Sequence, residues 1–181
     1  FYNSQYTQNI SGWNVSTVSE MDWMFFNSQF NTDISDWDVR NVVDMDGMFS
    51  NSQFNQDIGG WDISEVTNTV VMFKDATSFD QDLGGWDISS LTIATDMFDA
   101  VALSTDSYDA TLTGWATLDA GETQIPTNIT FDGGNSQFNT AAAARLDLID
   151  TYGWTITDGG PLLTTPQVVS IFPENGAVDI P

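Results

Sequence analysis

The sequence has no cysteine and no histidine, and only three basic residues, Arg40, Lys74 and Arg145, against 26 acidic ones. Without cysteine and histidine there are no disulfide staples, no thiol nucleophile, no Ser-His-Asp triad and no zinc site of the usual kind. The formal charge of −23 repels phosphate backbones and anionic bilayers, which argues against nucleic-acid and membrane-surface partners. No apolar run approaches the ~20 residues needed to span a bilayer. No glycine-rich phosphate loop follows a strand. Glutamate is scarce as well, at 20, 65, 122 and 174 only, so nearly all the acid is aspartate. A surface that repels itself in this way calls for screening by salt or divalent cations, and a salty or calcium-rich extracellular setting is the natural reading.

What the chain has in quantity is aromatic and apolar residues, 13% and 41% of 181, enough to bury a core in one domain with room for part of another. They recur. The stretch Phe30–Phe49, FNTDISDWDVRNVVDMDGMF, has copies starting at Tyr6, Phe54 and Phe79, and Trp13, Trp37, Trp61 and Trp86 fall at equivalent places. A fixed period of this size predicts stacked units sharing one core. Each copy reads apolar-x-x-Trp-x-apolar-x-x-apolar, as at Ile34, Trp37, Val39 and Val42, the spacing of leucine-rich repeats, with a short strand expected around Trp37–Val39. Met45-x-x-Met48-Phe49 has the spacing of a helical turn and is expected behind that strand. Phe1–Gln5 has the Asn-Ser-Gln of Asn27–Gln29 and Asn51–Gln53 and reads as the tail of a preceding copy, so further repeats are expected upstream.

The period breaks near Ser104. Thr105–Trp115 places Tyr108, Leu112 and Trp115 on one helical face, with Ser104 or Thr105 as cap. Asn128–Phe131 reads as a strand, Thr140–Tyr152 as a helix capped by Thr140 and ended by Gly153, and Trp154–Thr157 as a second strand. The expected organisation is an α/β solenoid over 1–103, a leucine-rich-repeat-like stack of about four 24–25-residue repeats, then an α/β cap over 104–160. A linker and the truncated start of a further domain are expected over 161–181.

With F-N-x-D-I-x-x-W-D-V and M-x-x-M-F both in view, and TFDGGNSQF through LIDTYGWTITDGG following at 130–160, the chain resembles the BspA-like leucine-rich-repeat bacterial surface proteins. QVVSIFPENGAVDIP at 167–181 is similar to the opening of bacterial immunoglobulin-like domains. The resemblance implies a secreted or surface-anchored protein, several relatives being regarded as adhesins. It carries over no catalytic motif and no named ligand.

Within each copy, the residue after the tryptophan is Asn14, Asp38, Asp62 or Asp87, expected on the exposed, concave side of the strand at about 4.8 Å intervals. Two carboxylates at that separation repel by roughly 1 kcal/mol in water. Such a row is either hydrated surface or a template for cations or a polar ligand. With Asp36 and Arg40 beside Asp38, it is the candidate ligand-binding strip. A second column, Asn9, Asp33, Asp57 and Asp82, reads either as turn chemistry or as calcium ligands between adjacent turns. Calcium, at Asp33, Asp57 and Asp82 or at Asp38, Asp62 and Asp87, is the one cofactor the composition brings forward. The loop spacing of an EF-hand is absent. The tryptophan and methionine columns read as core. Chance carboxylate pairs are inevitable in so acidic a chain, so they do not argue for glycoside hydrolysis.

These features lead to a non-enzymatic cell-surface adhesion or recognition module that binds an extracellular protein, peptide or glycan. The rival readings are a structural spacer or self-assembly unit of a surface layer or filament, and an accessory domain of a secreted hydrolase.

Overall fold

The computed structural model describes residues 1–163. The four copies pack on one another through bonds that repeat with the sequence period. The N–H groups of Met21, Trp23, Phe25 and Asn27 donate to the carbonyls of Asp44, Asp46, Met48 and Ser50 in the next copy. Met45, Gly47, Phe49 and Asn51 do the same to Asn68, Val70, Met72 and Lys74. Alternate residues along this wall therefore place their main-chain groups in coil-to-coil bonds, which satisfies a segment that forms no long helix or strand.

Inside the wall runs a column of phenylalanines. Phe25, Phe49, Phe73 and Phe98 stack nearly parallel with centroid separations of 5.5, 5.6 and 5.2 Å. Phe30, Phe54 and Phe79 form a second column against it, with Phe49 and Phe54 only 4.0 Å apart. The tryptophans form the third. Their indole Nε1–H groups donate back to the preceding copy, from Trp37 to the Ile10 carbonyl at 3.2 Å, Trp61 to Ile34 at 3.2 Å and Trp86 to Ile58 at 2.9 Å. Each buried indole thus fills core volume and also joins two copies.

The expected strand at Trp37–Val39 does not form. That segment lies between two tight turns, closed by Trp37 N–H donating to Ile34 and Val42 N–H to Val39. The parallel bridges between copies fall later, at Glu20, Asp44, Asn68 and Ile93. Nor does Met45–Phe49 become helical. Met48 N–H donates to Met45, but Gly47 sits at φ +58°, and Trp23, Val71 and Asp96 hold the same left-handed conformation at equivalent places. A left-handed residue in every copy stops helical propagation. At Gly47 the reason for glycine is direct, because a Cβ there would lie 2.6 Å from the Trp23 ring.

Beyond the copies, the chain forms helix α1 (Thr105–Trp115), strand β1 (Thr130–Asp132), helix α2 (Ala142–Asp150) and strand β2 (Thr155–Thr157). Ser104 caps α1 by accepting from Ser107 N–H, and Tyr108, Leu112 and Trp115 are buried. Trp115 Nε1–H donates to the Leu83 carbonyl at 2.9 Å, continuing the tryptophan column from within a helix. Phe131 of β1 bridges to Ala94, and β1 pairs in parallel with β2. The C-terminal region therefore lengthens the stack as well as covering it. Of the tail read as linker and immunoglobulin-like start, 164–181 lie outside the described residues.

Helix α2 starts later than expected, and Thr140 is not its cap. The residue before it, Ala141, has no side chain able to cap. The cap comes from α1, where the Asp109 carboxylate accepts from the N–H groups of Asn139, Thr140 and Ala141 and from the Thr140 hydroxyl. At the other end Gly153, at φ +71°, donates back to Ile149, the single bond by which a left-handed glycine stops a helix.

Burial pushes the Asp109 carboxyl up, but the backbone N–H donors of Thr140 and Asn139, followed by the Thr140 hydroxyl and Ala141, more than offset it and hold its pKa below the ordinary value. A carboxylate depressed by folding stabilises the fold above its unfolded pKa, about 3.9, and loses that contribution as pH falls through the lower folded value. Urea melts at pH 7, 4 and 3 should show stability falling steeply at the acid end. Asp109→Asn should be less stable at pH 7 and lose less between pH 4 and 3.

Candidate recognition surface

The residues expected to form a ligand-binding strip are on the surface but are engaged locally. Asn14 accepts from Ser16 N–H and its hydroxyl, Asp62 from Ser64 N–H and its hydroxyl, and Asp87 from Ser89 N–H. Asp38 accepts from Arg40 Nε at 2.7 Å, and this bond holds its carboxyl below the usual range. Asp36 is exposed. The second column behaves in the same way, with Asn9, Asp33, Asp57 and Asp82 each accepting from the N–H two residues on. Asp44 and Asn68 add a third such turn in the second and third copies. Aspartate is abundant because a side chain that bonds the backbone two residues later is what each corner uses.

Among the described residues, no three acidic side chains come together in a way that could hold a metal ion. Asp46 is set apart from these acids. Burial, then the neighbouring Asp44, push its carboxyl up, and one of its oxygens is buried without a partner. All three basic side chains are already paired, Arg40 with Asp38, Lys74 with Asp99 and Arg145 with Asp158.

The groove of the stack lies elsewhere. Asn3, Asn27 and Asn51 occupy left-handed backbone at φ 56°, 49° and 54°. Asn27 Nδ2 donates to Asn3 Oδ1 at 2.7 Å and Asn51 Nδ2 to Asn27 Oδ1 at 2.9 Å, a ladder of amides crossing three copies. The serines after them turn inward. Ser28 and Ser52 are buried and accept from the N–H of Phe30 and Phe54. The glutamines Gln5, Gln29 and Gln53 are exposed, and among the described residues their side chains form no hydrogen bond. Together these triplets, continued by Asp75, Thr77 and Ser78, line a groove of about 400 Å³ with no apolar side chain in its walls.

A second depression, of about 780 Å³, adjoins the first through Asn51 and Asp75. Tyr2, Trp23 and Phe26 line one end of it, and Val71 and Lys74 the other. A shallower one near the predicted strip, about 480 Å³, is lined by Arg40, Asn41, Val43, Asp62, Ser64 and Glu65. Sequence reasoning found Asp62 and Arg40 but read the Asn-Ser-Gln triplets only as repeat joints. Their recurrence at 3–5, 27–29 and 51–53 was the available signal for the groove.

Residues 1–115 match the family model described as Mycoplasma protein of unknown function, DUF285. The match ends on Trp115, the last tryptophan that donates into a repeat copy. No curated protein and no solved structure matches the chain.

Proposed function

We propose a recognition role for this chain, which belongs to the DUF285 family: a non-enzymatic adhesion or recognition module, displayed outside the cell, that takes a protein, peptide or glycan along the amide groove. In finer terms it is a BspA-like surface protein with a leucine-rich-repeat-like solenoid. The observation that carries the reading is the groove itself. A row of uncommitted glutamine amides, repeated in register over successive copies, offers donors and acceptors to an extended polar ligand without strong charge. The aspartate strip supports the role less well, since its carboxylates are engaged in turns. No helix among the described residues is long and apolar enough to cross a membrane.

The experiment is a binding array of purified extracellular-matrix proteins and glycans probed with the labelled chain at about 150 mM salt, where long-range effects of its acidity are screened. Saturable binding to a defined component is the expected result. Uniform background, or binding that vanishes on modest salt addition, contradicts the reading.

A further inference from the structure

We infer that the aromatic depression beside the amide groove is a binding site for a neutral oligosaccharide, an assignment that rests on the recognition role and names its ligand class. The Tyr2 ring stacks on Phe26 at a centroid distance of 4.8 Å, and Trp23 meets Phe26 edge-on at 5.2 Å. The Trp23 indole lies over Gly47, where the lack of a Cβ makes room for it, and Tyr2 is 58% exposed. Three linked rings on an outer wall are an unusual use of aromatic surface in a protein that buries so many of its aromatics. The stack forms one end of a depression whose volume is within the ~300–1,000 Å³ range of small-ligand sites.

The surroundings select the ligand. Asp75 and Asn51, both exposed, stand on the rim. Asn51 uses its amide N–H on Asn27, which leaves its carbonyl oxygen free to accept. The Asp75 carboxylate has no hydrogen-bond partner among the described residues and can accept from two adjacent hydroxyls. An anionic ligand would meet a chain of charge −23 whose basic side chains are all paired, Lys74 on this rim by Asp99.

An extended peptide gains no main-chain pairing, because alternate residues of this wall already spend their N–H and carbonyl groups on neighbouring copies. A ring that is apolar on its face and hydroxylated at its edge fits what remains. Its C–H face lies on Tyr2 and Trp23, and its hydroxyls donate to Asp75 and Asn51. A longer oligomer continues past Asn51 and Asp75 into the amide groove, which shares both residues.

The test is titration of the full chain with hexasaccharides of β-1,4-glucose, α-1,4-glucose, N-acetylglucosamine and mannose. Hyaluronan hexasaccharide and choline serve as charged controls. Tryptophan fluorescence and saturation-transfer NMR are the readouts. At least one neutral hexasaccharide should bind saturably and the controls should not. Tyr2→Ser, at an exposed ring, should weaken that binding tenfold or more with an unchanged melting temperature. Trp23→Gly, which suits the left-handed backbone at φ 53°, should abolish it. Gln124→Ala, far along the chain at an exposed position, should leave it intact. Silence from every neutral sugar, binding unaffected by Tyr2→Ser, or equal binding of hyaluronan or choline overturns the assignment. If the sugars are silent while a protein on the array binds saturably, the recognition role stands and only the ligand class falls. If both are silent, both fall.

Discussion

Asp158→Ala is expected to destabilise the protein by about 3–5 kcal/mol, the usual consequence of removing one partner from a buried ion pair. The Asp158 side chain is 2% exposed and joins four groups. Arg145 donates from Nε at 2.7 Å and from an Nη at 3.3 Å, the Tyr108 hydroxyl donates at 2.9 Å, and the Gly160 N–H donates at 3.0 Å. Arg145 also donates to the Ile156 carbonyl and lies over the Phe138 ring at 5.3 Å. One carboxylate therefore connects α1, α2, β2 and the turn after β2. Burial, then the nearby Asp158 charge, drive the Tyr108 hydroxyl's pKa well above its ordinary value, so it stays a donor throughout the working pH range. Without Asp158, a guanidinium and a phenol are left buried with fewer partners. A chain of this size should lose on the order of 10 °C in melting temperature. Asp158→Asn, which keeps two acceptor sites on its amide oxygen, should lose less. Differential scanning calorimetry of both variants checks the order.

The second large effect is expected at Trp61. Replacing a buried tryptophan by alanine costs about 3–5 kcal/mol through lost burial and the cavity left behind. Here the indole also donates to the Ile34 carbonyl of the previous copy, so Trp61→Phe should still cost about 0.5–1.5 kcal/mol for the one lost hydrogen bond, that carbonyl keeping its bond from Trp37 N–H. Trp13 has the same sequence environment, but it is 49% exposed and its indole N–H donates to no group among the described residues. Trp13→Ala should therefore cost under about 1 kcal/mol, as surface changes usually do. Chemical denaturation of the three variants separates the account from one in which all four tryptophans are equivalent. Equal losses at Trp13 and Trp61 would contradict the idea that the indoles join successive copies.

Much of the interior was legible because burial leaves a periodic trace. Ile34, Trp37, Val39, Val42, Met45, Met48 and Phe49 are all buried, as their spacing predicts, and so are Tyr108, Leu112 and Trp115 in α1. The backbone between them was less legible. The spacing of Ile34, Trp37, Val39 and Val42 fits an inward-facing strand or a pair of tight turns equally well, since both bring the same side chains to the core. The deciding signal was the aspartate before each turn, at 33 and 38, whose carboxylate bonds the second N–H onward.

The cap of α2 was hidden for a different reason. Asp109 is some thirty residues upstream of the N–H groups it accepts from, and no local pattern reports a contact between two helices. The groove was half-legible. The Asn-Ser-Gln triplets are plain in the sequence, but their shape depends on left-handed backbone at Asn27 and Asn51 and on serines turning inward to cap the next phenylalanine. The predicted strip failed to stand out chemically because the same aspartates that looked free are spent on corners.

The central claim is that recognition runs along the amide groove and not along the aspartate strip. The most direct measurement is the affinity for the strongest array component, by biolayer interferometry, of the unaltered chain and two double variants. Gln29→Ala with Gln53→Ala removes exposed amides that make no hydrogen bond among the described residues, so the fold should persist. Asp38→Ala with Asp62→Ala removes two members of the strip. The account predicts at least a tenfold loss of affinity for the glutamine pair and less than a twofold change for the aspartate pair. Full affinity in the glutamine pair with loss in the aspartate pair would contradict it and return the binding face to the strip.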